Sequence, residues 1–225
     1  MATHSTGRSE DDAQPGLSLP KDGDTPAERG ISEEDMQRSR LYGLLARVMG
    51  EPMNDETLEV VRALEGSGDG NELSGAFAAF GAVAVRTPRG SAEEEFSALF
   101  YGDGSGGELL PYASYYLTGF LLEKPLANLR SDMAVLGIQP SGLSKEPEDH
   151  IAFLCEIMHG LITGAFGEPA SLVAQQKFFK THMAPWAGQF FTDLEGAELA
   201  ALYRPVGTIG RLFISIEAEA FEMAA

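Results

Sequence analysis

Leu41, Leu44, Leu45 and Val48 fall at offsets 0, 3, 4 and 7, the spacing of one helix face. Ser32 stands where a side chain caps such a helix, with Asp35 three residues on and Gly50 at its end. The pattern recurs downstream. Asn54 precedes Leu58, Val61 and Leu64, and Asn71 precedes Leu73, Phe77 and Phe80. Ser91 and Glu94 make a capping-box pattern ahead of Phe96, Leu99 and Phe100. A glycine-rich break at 102–107 and then Pro111 reset the chain. Pro125 stands at the start of a segment carrying Leu126, Leu129, Met133 and Leu136. Pro147 is placed as the first residue of a long helix with Ile151, Leu154, Met158, Leu161 and Ile162 on one stripe. Another helical segment runs through Leu172 and Phe179 towards His182. Leu202, Val206, Ile209, Phe213 and Ile216 form the last stripe, which Pro205 kinks or restarts.

No segment alternates apolar and polar residues over a strand's length, and no internal repeat is present. The pattern predicts an all-α fold, a single globular domain of about eight to ten helices over residues 32–225. Residues 1–31 are polar and acidic and carry Pro15, Pro20 and Pro26. Apolar side chains there are too few to offset the entropy of ordering, so a disordered acidic tail is expected.

Charge narrows the partners. The 225 residues hold 16 Lys plus Arg against 34 Asp plus Glu, a formal charge of -18. Such a surface repels phosphate backbones and anionic lipid, which argues against nucleic-acid binding, and it suits a basic partner or simple solubility. Cys155, the single cysteine, has apolar neighbours and reads as a buried, inert thiol. Residues 1–30 contain no apolar run able to serve as a secretory signal. The uncharged stretch Leu109–Leu122 is too short for membrane insertion and is broken by Pro111. A cytoplasmic location is the expectation.

Catalytic motifs find little support. Gly102 to Gly107 match G-x-G-x-x-G, but a helical pattern precedes them and no helix opens on the last glycine, so a hinge loop is the better reading. Glu156 and His159 form one Glu-x-x-His, whereas carboxylate-bridged di-iron bundles need two such pairs with two further Glu. No Gly-Lys dipeptide of a phosphate loop occurs. The segment Glu146-Pro147-Glu148-Asp149-His150 is the exception, because it crowds polar groups onto a helix start. Acids there are favoured by the helix dipole, each by about 0.3–1 kcal/mol, which alone accounts for Glu148 and Asp149. A cation is disfavoured at that end, so His150 is expected neutral and hydrogen-bonded, with a neighbouring carboxylate as the candidate partner.

This Glu-Pro-x-Asp-His turn resembles the best local signature of the TorD/DmsD family, the NarJ-like redox-enzyme maturation chaperones. Other segments resemble that family in the same order. Glu95-Phe96 with Leu99-Phe100 and Gly102 is similar to its Leu-Phe-x-Gly helix end. Pro111 to Tyr116 is similar to its Pro-x-x-Ser-x-Tyr element, and Phe178 to Trp186 to its Phe-x-x-x-His-x-x-Pro-Trp stretch. Leu202-Tyr203 matches the start of its last helix. The likeness spans about residues 34–221; Ala113, where many members are acidic or bulkier, and Pro205 depart from it.

The resemblance implies a TorD-like, cytoplasmic chaperone with no catalytic residues, no metal and no cofactor of its own. It implies a partner too: the catalytic subunit of a molybdoenzyme, held through its twin-arginine leader or apo form until the molybdenum cofactor is inserted before export. Carried over by position, the peptide site comprises Phe100, Gly102, Pro111, Tyr112, Ser114, Tyr116, Pro147, Asp149 and His150. Monomer and a dimer exchanging segments through 102–111 both stay open. The alternative from a different class is a helical metal-dependent enzyme using Glu156 and His159. Trp186, following Pro185 between apolar segments, is expected to pack the C-terminal helices together.

Overall fold

A computed structural model describes residues 30–64, 70–102, 106–139 and 146–224. The expected tail therefore lies outside the described residues except for its last two positions. Among the described residues the chain forms ten α-helices and one π-helical turn, and no strand.

The caps read from sequence form as local hydrogen bonds. Ser32 Oγ accepts the amide of Asp35 and opens α1 (Glu33–Gly50). Asn54 caps α2 (Asp55–Arg62) through Thr57, and Asn71 caps α3 (Glu72–Arg86) through Ser74. Ser91 does not follow suit. Helix α4 (Arg89–Phe96) begins one residue after Pro88, whose fixed φ suits a helix entry, and Ser91 lies within its first turn. The π turn Ser97–Tyr101 follows directly and ends at Gly102, whose N–H donates to the Ser97 carbonyl at 2.7 Å.

Short α5 (Ala113–Thr118) and α6 (Lys124–Val135), with Pro125 in its first turn, come next. Helix α7 (Ile151–Thr163) is buried on nearly all sides, as its almost wholly apolar sequence requires. Around it pack α1 and α8 (Leu172–His182), while α9 (Ala187–Gly196), α3 and α10 (Arg204–Met223) form the other half of the core. Gly207 and Gly210 allow the close approach of α9 and α10. A Cβ on Gly207 would lie 2.4 Å from the Glu195 backbone nitrogen, and one on Gly210 2.2 Å from the Phe191 ring.

Two further expectations, on Pro147 and Ile216, are corrected. Pro147 is not the first residue of α7; it lies in a turn, and the helix starts four residues later because His150 is its cap. Pro205 restarts the helix as the second residue of α10, the second of the two outcomes expected of it. Ile216 is half exposed, and α10 turns Glu217 inward in its place. That carboxylate is buried because Arg38 reaches it from α1 with two hydrogen bonds, 2.7 and 2.9 Å, and Tyr42 donates a third at 2.9 Å. Asp35 and Gln175 take the remaining guanidinium face, so the buried pair is fully hydrogen-bonded.

Candidate peptide-binding site

Two chain segments far apart in sequence meet at the start of α7. The Ile151 amide donates to the Pro111 carbonyl at 2.9 Å, and the Ala113 amide to the Asp149 carbonyl at 3.0 Å. These bonds pair Tyr112 with His150 as an antiparallel bridge. The Tyr112 ring meets the imidazole edge-on, centroids 5.1 Å apart, and its hydroxyl donates to Glu146. Burial and the Glu146 carboxylate hold the Tyr112 phenol well above its ordinary range.

His150 caps α7 with its side chain. Nδ1 accepts the Ala152 amide at 3.1 Å, so the ring proton belongs on Nε2. Burial lowers the imidazole pKa to about 4. His150 is thus neutral, as expected, but its partner is a backbone amide and not a carboxylate. Asp149 is buried as well. Its Oδ2 accepts the Ser114 amide at 2.8 Å, whereas Oδ1 is buried without a hydrogen-bond partner. Glu148 pairs with Arg130 on α6 at 2.6 Å.

Asp149 lines a small cleft between α5, α6, α7 and α8. Asn128, Thr181 and His182 supply its other polar groups, and Leu129 and Leu154 are among its apolar walls. His182 is held by Asp132, with Nε2 and Oδ2 2.8 Å apart, while burial lowers its pKa despite that carboxylate. Asp149, whose second carboxylate oxygen is buried without a donor, therefore lines the same cleft as hydroxyl, amide and aliphatic groups. A guanidinium or ammonium group on an aliphatic stem is the ligand chemistry this set complements.

Of the residues expected at a peptide site, Pro111, Tyr112, Ser114, Pro147, Asp149 and His150 come together here. Tyr116, on the next turn of α5, faces elsewhere: its hydroxyl donates to Asp193 at 2.9 Å, and its ring packs on Trp186 and Phe190. Phe100 is buried against Phe96 and Tyr203 and is not among the residues lining the Asp149 cleft. Its neighbour Tyr101 is the half-exposed ring of that turn, and burial, then the Glu146 carboxylate, raise its phenol pKa. Gly102 has φ of 62°, and a Cβ there would lie 2.0 Å from the Gly106 carbonyl oxygen. The glycine is dictated by this sharp exit from the π turn. Positions 103–105 of the glycine-rich loop lie outside the described residues. Asn128, Thr181 and His182 escaped the sequence reading as cleft residues; only the His182 position carried a motif signal.

The other chemical candidates, Glu156, His159 and Cys155, lie on α7. His159 Nδ1 lies 2.9 Å from the Ser39 carbonyl oxygen, and Glu156 is a half-buried acid whose pKa is raised by desolvation. Among the described residues no three His, Cys, Asp or Glu side chains are grouped to hold a metal ion. Cys155 is fully buried, which pushes its thiol pKa far up. Among the described residues no helix is long and apolar enough to cross a membrane.

The architecture is shared with a solved structure described as a redox enzyme maturation protein from Archaeoglobus fulgidus. The TM-score is 0.55 at 16% identity, covering 79% of this chain and 93% of that one. The chain belongs to the nitrate reductase delta subunit family, whose model matches residues 67–192, and so to the NarJ-like and TorD-like redox-enzyme maturation chaperones. It is similar to the chaperone protein TorD of Vibrio atlanticus (strain LGP32), 25% identical over 202 residues, 81% of this chain and 94% of that protein. It is also similar to the chaperone protein TorD of Actinobacillus succinogenes, 23% identical over 186 residues, 78% of this chain and 93% of that one. These relatives are named chaperones, and a chaperone role in redox-enzyme maturation is what the family supports for this chain.

Proposed function

We propose that this protein is a cytoplasmic chaperone that binds the twin-arginine leader of a molybdoenzyme catalytic subunit and holds the apo form until its molybdenum cofactor is inserted before export. The observation that carries the reading is the Asp149 carboxylate. One of its oxygens is fixed by Ser114, and the other is buried without a partner in a residue lining an otherwise largely apolar cleft. A leader arginine supplies the donors that this oxygen lacks, on a stem that the Leu129 and Leu154 walls accommodate. The charge of -18 favours encounter with a basic leader. Residues 1–29 lie outside the described residues and play no part in this reading.

The test is titration calorimetry of synthetic twin-arginine leader peptides against wild type and Asp149→Asn, with circular dichroism as the folding control. Asp149→Asn is expected to weaken binding by about 2–5 kcal/mol, some thirtyfold or more, as for other desolvated charge contacts. Wild-type affinity is expected to fall as salt rises, since screening acts over about 10 Å at 0.1 M. A folded Asp149→Asn protein that binds every leader as tightly as wild type would sink the proposal.

A further inference from the structure

The connector between α5 and α6 exposes large apolar side chains at the edge of the Asp149 cleft. Leu117 and Pro125, on either side of it, both line the cleft. Between them Phe120 is 69% exposed, Leu122 68% and Leu121 44%. The connector is stitched into place. Gly119, in the left-handed conformation, closes α5 through its N–H to the Tyr115 carbonyl at 2.8 Å. The Phe120 amide donates to Thr118 Oγ1 at 3.2 Å, and the Glu123 amide donates to Ser114 Oγ at 3.3 Å. Ser114 thereby holds both features: its amide fixes Asp149, and its hydroxyl fixes the far end of the apolar ridge.

Leu122 adds a second signal. It is the one non-glycine with positive φ among the described residues, at 60°. A branched side chain is strained there, and such strain normally persists where surrounding packing or a function requires it. Leu122 is mostly in solvent, so packing within the chain does not account for it.

We infer that the ridge Leu117–Phe120–Leu121–Leu122 seats the apolar run of the same peptide whose basic residue enters the Asp149 cleft. This rests on the proposed function and extends it. The charge pattern selects the occupant: a cleft lined by the Asp149 carboxylate, with Leu117 and Pro125 at its rim, and bare aliphatic and aromatic groups on the connector between them. A segment with a cation directly beside an apolar stretch complements both ends, whereas a wholly apolar or wholly basic segment leaves one end unmatched.

Two synthetic probes test the inference: a full twin-arginine leader peptide, and its arginine-containing half without the apolar run. Both are titrated against wild type, Phe120→Ser, Leu122→Gly and Asp149→Asn. Phe120→Ser and Leu122→Gly are each expected to weaken the full leader about tenfold, the loss from one uncovered large apolar contact. They should leave the half peptide unchanged, while Asp149→Asn weakens both. Leu122→Gly should melt no lower than wild type, because glycine relieves the positive φ. Undiminished affinity of the ridge variants for the full leader would overturn the ridge assignment and leave the Asp149 reading standing. So would sedimentation showing that they lose only self-association, since the ridge would then be a contact between two copies. A wild-type protein that binds neither peptide would overturn both.

Discussion

The Ser114 amide donates to Asp149 Oδ2 at 2.8 Å across 35 residues of chain, and it leaves the second oxygen of that carboxylate buried and unpaired. The two oxygens therefore have separable consequences. Asp149→Ala removes the acceptor and strands the Ser114 amide, which should cost about 1–3 kcal/mol of stability. Asp149→Asn keeps an acceptor for Ser114 and removes the charge, so its denaturant midpoint should stay near or above that of wild type. Urea unfolding of the two variants checks the contrast; equal losses would show that the charge itself stabilises this turn.

His150 should make stability depend on pH in a defined window. Burial lowers its pKa in the folded chain to about 4, against the ordinary 6.5. Between those values the unfolded chain binds more protons than the folded one, so this contribution is complete above about pH 6.5 and is lost as pH falls towards 4. The span corresponds to about 3 kcal/mol. His150→Asn preserves a capping acceptor for α7 while removing the titration. Its stability should therefore fall less steeply than wild type over pH 6.5 to 4, the slope that remains including His182. Parallel curves from urea melts across that range would contradict the assignment.

The Arg38–Glu217 pair joins α1 to α10 from within the core, with Tyr42 and Gln175 completing its hydrogen bonds. Removing one member strands the other. Glu217→Ala should cost about 3–5 kcal/mol. Exposed pairs such as Arg89–Asp55 should contribute far less, because solvent screens them. Chemical denaturation of Glu217→Ala beside Asp55→Ala makes the comparison.

Trp186 is fully buried, donates from Nε1 to the His182 carbonyl at 2.8 Å, and stacks against Tyr116 and Phe190. It packs the end of α8 against α9, as expected from its place after Pro185. Trp186→Ala should cost about 3–5 kcal/mol. Tyr116→Phe, which loses only the bond to Asp193, should cost about 1 kcal/mol. Thermal melts of both variants test this order, and a mild Trp186→Ala would mean that the pocket around the indole collapses without loss.

Local signals in the chain determined where the first three helices begin. Ser32, Asn54 and Asn71 cap as their spacing indicated because the bond runs only three residues and needs no tertiary partner. The buried stripe of α7 was equally legible, since periodicity follows from helix geometry. The family was legible as well, through an ordered set of short motifs. What tertiary structure decided were the features that depend on a distant partner. Pro147 lost the helix start to His150 because the Pro111 carbonyl, from a remote segment, takes the amide of Ile151. Ile216 turned outward and Glu217 inward because Arg38, 179 residues away, satisfies a buried carboxylate. The cleft joining Asn128, Asp149, Thr181 and His182 draws on α6, the turn before α7, and α8, so no periodicity could disclose it. Sequence fixes hydrogen bonds that close within a turn of helix, whereas packing decides which polar group far along the chain is left without one.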